Sequence, residues 1–187
     1  MTRWTGVLAM AALTATAVCG TARAGEYASR KAFVKAHIPE GSTMKMRTVV
    51  PGAKDRKALA VEYGIQEFED TLSYILGRDG SGKITAAIVF VERVLEQYDE
   101  WHHVAVALDP AGVVKEVAML SVTGEYARMV DSKSFLGQFA RKKPKKAGYA
   151  LGAEINAVTG ATLSSGVVAD VVNLVMGVYR KLVNPSG

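Results

Sequence analysis

The sequence predicts a single α+β domain, an antiparallel sheet with helices packed on it and a long helix at its C-terminal end. Three observations carry this. Residues 72–122 hold runs rich in β-branched side chains, separated by turn signals. The segment from about Ser165 to Leu182 has the apolar spacing of a helix, with Val168, Val171, Val172, Val175, Val178, Tyr179 and Leu182 in one stripe. No internal repeat and no linker divides the chain, and 187 residues are enough for one real core.

In chain order, Arg30 to Ala36 reads as a short helix with Phe33 and Val34 as its apolar positions, ended by Pro39 and Gly41. A second helix is expected over Ala53 to Tyr63, so that 26–63 forms a helical lead-in to a core over 72–182. Leu72 to Leu76 is a short strand, and Arg78-Asp79-Gly80-Ser81-Gly82 a turn. Ile84 to Val94 is a long strand. Val104 to Leu108 and Val113 to Val122 form a hairpin around Asp109-Pro110-Ala111-Gly112. A short helix follows over Ser132 to Ala140, with Phe135, Leu136 and Phe139 on one face.

The chain begins with the layout of a secretory signal peptide over residues 1–24. Arg3 supplies a positive start, Gly6 to Val18 an apolar run, and Ala22-Arg23-Ala24 a small-x-small cleavage site. The run is shorter than the ~20 residues of a membrane helix. The expected location is therefore periplasmic, with 25–187 as the mature domain. Cys19 is the one cysteine and leaves with the leader. A mature chain without thiols has no disulfide, no cysteine-ligated cluster and no thioether-linked haem.

The formal net charge is +5, with the excess gathered in Arg141-Lys142-Lys143-Pro144-Lys145-Lys146. Such a run reads as a solvated loop, with a docking patch for an acidic partner as the alternative. It has no aromatic interleaving, so no nucleic acid is expected. His102 and His103 are adjacent in a strand and point to opposite faces, which suits edge residues better than joint metal ligands. Tyr98, Trp101 and Phe90 read as packing residues, and no catalytic dyad or metal cluster is visible.

The chemistry is concentrated in Asn156-Ala157-Val158-Thr159-Gly160-Ala161-Thr162-Leu163-Ser164-Ser165. This segment leads into the N-terminus of the last helix, where free N–H groups and a partial positive charge favour a phosphate. Gly160 and Ala161 leave room for a bulky group, and Thr162 offers a hydroxyl beside the anion site. By residue type alone the segment reads sooner as a Ser/Thr-rich turn in which Ser164 or Ser165 caps the helix.

The string Thr159-Gly160-Ala161-Thr162 resembles the attachment motif of the FMN-binding domain family. That family includes the C subunit of sodium-pumping NADH:quinone reductases, the G subunit of Rnf complexes and small exported flavoproteins. The resemblance extends over roughly Leu72 to Leu182, since the family also places a hairpin before the motif and a helix directly after it. It implies that Thr162 bears FMN as a phosphoester, made by a flavin transferase that takes FMN from FAD with Mg²⁺. It further implies an electron carrier rather than an enzyme with its own substrate, exchanging electrons with a donor and acceptor of which a membrane electron-transfer complex is one class. Asn156 stands where the family has Asp. Glu125 and Tyr126 resemble a Glu-Tyr pair of the small exported members, in a loop expected to lie against the isoalloxazine ring. With Leu163 and Ser164 these residues make up the expected cofactor site. Two other readings remain: an exported module that binds flavin or another phosphate ligand without a bond and without electron transfer, and a flavin-dependent reductase with its own substrate.

Overall fold

A computed structural model describes residues 29–185. The leader reading of residues 1–24 lies outside them. The chain order is α1 (Arg30–His37), β1 (Thr43–Val49), α2 (Ala53–Tyr63), β2 (Leu72–Arg78), β3 (Ile84–Leu95), β4 (Glu100–Leu108), β5 (Val114–Val122), α3 (Glu125–Val130), α4 (Lys133–Leu136) and α5 (Thr162–Val178). The five strands form one antiparallel meander in the order β1-β2-β3-β4-β5. This is the expected α+β domain, a sheet with helices packed on it.

Alternation along the strands divides the sheet into two faces. Leu72, Tyr74 and Leu76 of β2, Val89 and Val91 of β3, Val104, Val106 and Leu108 of β4, and Val117 and Met119 of β5 face the main core. They meet Val168, Val171, Val172, Val175 and Val178 of α5, the stripe read from the sequence. The opposite face holds Ile75, Ile88, Phe90, Ala105, Ala107, Ala118 and Leu120, covered by Phe33, Val34 and Ile38 of the α1 region. Because helices cover both faces, the central strands are apolar on both sides, which is why β3 and β4 read as near-continuous apolar runs.

The hairpin turn follows its sequence signal closely. The Asp109 carboxylate accepts from the Ala111 and Val113 N–H groups, and Gly112 N–H donates to the Asp109 carbonyl. By length and composition Thr162–Val183 is apolar enough to cross a membrane. Here its apolar side chains fill the protein core, and Tyr74 Oη donates to the Val175 carbonyl at 2.8 Å in the buried interior. A π-helical turn, Tyr179–Val183, ends it. Arg47 of β1 donates to the Val183 and Leu182 carbonyls there, satisfying acceptors that a helix end leaves open.

Several expectations need correction. β1 was not expected: its residues are almost all exposed, Met44 and Met46 included, so it shows no apolar face. The segment expected as a loop around Glu125 and Tyr126 is the short helix α3. His102 and His103 do point to opposite faces, but β4 lies between β3 and β5 and is not an edge. His102 is fully buried on the core face. The basic run is the loop expected, exposed or half-buried throughout and tied down at its centre. The Tyr149 hydroxyl donates to the Lys143 carbonyl and accepts from its N–H, the Lys142 and Lys145 ammonium groups lie 5.0 Å from the ring centre, and Lys145 pairs with Glu154.

Candidate cofactor site

The last helix opens without a cap. Ala161 occupies the N-cap position with no side-chain bond to the first turn, and that turn has no acidic residue. Ser165 does not cap. Its hydroxyl donates to the Ala161 carbonyl at 2.8 Å and accepts from Val158 N–H at 3.0 Å, stapling the preceding loop onto the helix. Ser164 does not cap either. Its hydroxyl donates to Glu100 at 2.9 Å. The two serines therefore leave the first N–H groups of the helix open, and the capping alternative is set aside. A positive φ of 84° at Gly160 turns the chain into the helix, with only the Met129 methyl near the space a side chain would fill.

Thr162 is exposed at this opening. A cavity of about 220 Å³ lies beside it, lined by Tyr98, Tyr126 and residues 160–164. Gly160, Ala161, Thr162, Leu163, Ser164 and Tyr126 are thus brought together as expected. Tyr98 completes the wall. Its ring centre is 5.5 Å from that of Tyr126, edge to face, and it is 50% exposed against 39% for Tyr126. The packing role expected for Tyr98 is therefore replaced by a place at the site. It comes from the tight connection between β3 and β4, where Asp99 turns the chain with φ 49°.

Three expected residues do not line the cavity. Asn156 and Thr159 are exposed on the approach loop, and Glu125 is exposed at the start of α3. The backbone of Asn156 is held in register by Gln138, whose side-chain amide accepts from its N–H at 2.8 Å and donates to its carbonyl at 3.0 Å.

The residue that sequence reasoning missed is Glu100. It is the first residue of β4, on the core face and only 1% exposed. One carboxylate oxygen accepts from the Tyr126 N–H at 2.9 Å and the Ala127 N–H at 3.3 Å. The other accepts from Ser164 Oγ. One buried side chain thus ties the first turn of α5 to the first turn of α3, the two walls of the cavity. Gly124 makes this contact possible. Its φ is 87°, and a Cβ there would stand 2.4 Å from the Glu100 side chain. A Gly beside a Glu-Tyr pair was the available signal, but nothing local points from it to a glutamate on another strand.

Beneath this junction His102 lies buried beside the Arg93 backbone, with no hydrogen bond of good geometry at either ring nitrogen among the described residues. Burial pushes its imidazole below the ordinary value near 6.5, against the opposing pull of the Glu100 carboxylate. The unfolded chain therefore binds the proton more readily, and the fold loses stability as the pH falls below about 6.5. His102→Phe is expected to flatten this decline. Urea unfolding at pH 8 and pH 5 checks it: equal losses in both proteins would refute the role of His102.

The site fits a flavin mononucleotide. A phosphate finds open N–H groups and no carboxylate in the first turn of α5, a hydroxyl stands beside it, and two half-exposed tyrosines offer aromatic faces. Consistent with this geometry, residues 97–176 match the family model of the FMN-binding domain. The match runs from the turn that carries Tyr98 through most of α5, and so contains both cavity walls. FMN is the cofactor of such a domain. No curated protein matches the chain.

Proposed function

We propose that this chain, whose residues 97–176 match the FMN-binding domain model, is an exported electron carrier whose FMN is joined to Thr162 by a phosphoester. The observation that carries this reading is the exposed Thr162 at an uncapped, acid-free helix start beside a tyrosine-walled cavity. Thr162 Oγ is the attachment atom, and a flavin transferase supplies the FMN from FAD, with AMP as the group that leaves. The N–H groups of the first turn of α5 hold the phosphate. Tyr98 and Tyr126 set how much of the ring meets solvent. Bound flavin supplies one- and two-electron chemistry, and the surrounding residues tune its potential and access. Periplasmic location supports a covalent tether, because flavin lost outside the cytoplasm is not readily replaced. The donor and acceptor are a redox protein or a membrane electron-transfer complex.

The test is intact mass and visible absorption of the mature chain, made in cells that also export a flavin transferase. The expected result is a gain of one FMN less one water, with yellow colour that survives denaturation. An unmodified mass with flavin released by acid would establish the non-covalent module instead. Asn156, in place of the family's Asp, is the feature that favours this second reading. Asn156→Asp is therefore expected to raise the fraction of flavinylated chain in a time course with limiting transferase. An unchanged rate would show that the carboxylate has no part in attachment here.

A further inference from the structure

A second, larger opening lies along the same helix. It measures about 600 Å³, within the range of roughly 300–1,000 Å³ that small-molecule sites occupy. Leu163 is common to its lining and to that of the Thr162 cavity, so the two openings meet at that side chain. Leu95, Leu151, Leu163 and Val167 supply aliphatic walls. At one end Arg93 is buried among carboxylates: Glu69 meets its Nε at 2.5 Å, and Glu67 and Asp170 meet one terminal nitrogen at 2.5 and 3.1 Å. Three carboxylates answer one guanidinium, so this end is acidic, and no lysine lines the cleft.

Gly166 provides an independent sign. It sits in α5 among the cleft residues, where glycine costs a helix roughly 0.5–1 kcal/mol relative to alanine. Packing does not require it: a Cβ there would meet nothing closer than Leu151 Cδ1 at 3.8 Å. At Gly177 of the same helix the contrast is plain, because a Cβ would press on the Tyr63 ring at 3.0 Å. A side chain longer than that of alanine at 166 would press on Leu151 and narrow the cleft that both residues line.

We propose that this cleft is a binding site for an uncharged fused-ring aromatic molecule, held beside the Thr162 cavity and separate from the flavin. Aliphatic walls and a bare helix backbone accept a flat apolar ring. The acidic end disfavours an anion, and the engaged guanidinium has no free charge to offer one.

The site does not depend on how the flavin is held, so both the unmodified and the flavinylated chain are used. The probes are 2-naphthol, uncharged at pH 7, and naphthalene-2-sulfonate, its anionic counterpart. Binding is followed by calorimetry and by backbone amide shifts in NMR spectra. The expected result is saturable binding of 2-naphthol to both forms, with shifts centred on residues 163–170 and much weaker binding of the sulfonate. Gly166→Trp should weaken 2-naphthol at least about tenfold, and Leu151→Trp does the same from the neighbouring position in the lining should the first variant fold poorly. Thr162→Ala should leave binding intact. Failure of 2-naphthol to bind either form, shifts elsewhere, or preference for the sulfonate would overturn the proposal while leaving the flavin reading untouched. Binding to the unmodified chain alone would also overturn it, since the flavin ring itself would then fill the cleft.

Discussion

Thr162→Ala is expected to give a colourless protein of unmodified mass with an intact fold, even with a flavin transferase present in excess. The fold should survive because Thr162 is exposed and its side chain makes no hydrogen bond within the described residues. The neighbouring positions carry the local structure instead. Ala161 is buried, Ser164 holds Glu100, and Ser165 staples the approach loop. Alanine also raises helix propensity slightly at the first turn. Stability should therefore shift by no more than about 0.5 kcal/mol, the usual range of a surface change, while covalent flavin falls from near one equivalent to none. Thr162→Ser is the informative companion, because it keeps a hydroxyl at the same place. Partial flavinylation of the serine variant with none of the alanine variant would assign the bond to this oxygen. Full colour in the alanine variant after a denaturing wash would move the attachment elsewhere and end the phosphoester reading at this residue.

The features that the sequence made legible are those whose causes are local. The Asp109–Gly112 turn is held by a side chain two and four residues from its partners. The stripe of α5 is visible because a buried helix must be apolar along most of its surface, and the Thr159–Thr162 string points to an FMN-binding domain without any knowledge of the fold. What was not legible depends on partners far along the chain. β1 has exposed side chains and exists because β2 pairs with it and Arg47 reaches the end of the C-terminal helix. The short helix α3 has no side-chain cap of its own, and its first N–H groups are satisfied by Glu100, about 25 residues earlier. Tyr98 and Glu100 straddle a turn where a tyrosine and a glutamate look like ordinary surface residues. The cofactor and the helix start beside it could be read from the sequence, but the walls around them are a product of tertiary contact.

Glu100 gives that distinction its sharpest test. Glu100→Ala leaves the Tyr126 and Ala127 N–H groups and the Ser164 hydroxyl without their shared acceptor, and empties space below them. A buried donor stranded in this way costs about 1–3 kcal/mol, and the losses are not additive. A drop of about 3 kcal/mol in unfolding free energy is therefore expected. Ser164→Ala removes one of the three bonds and should cost about 1 kcal/mol. Stability alone does not establish a role at the flavin, so the second readout is the flavin itself. Glu100 touches no part of the cavity surface, and it acts by holding Tyr126 against the first turn of α5. Glu100→Gln keeps the size and one acceptor but presents N–H donors to one of its former donors. It should remain folded and take up flavin at Thr162. The arrangement of Tyr126 will be disturbed, and the midpoint potential and flavin fluorescence should both move. Gly124→Ala should behave alike for the opposite reason, since its Cβ would push the carboxylate away. Should the Gln variant lose stability while potential and fluorescence match the parent, Glu100 is a structural strut alone. Should both move together in the Gln and Gly124 variants, the buried carboxylate sets the geometry of the flavin site from behind its wall.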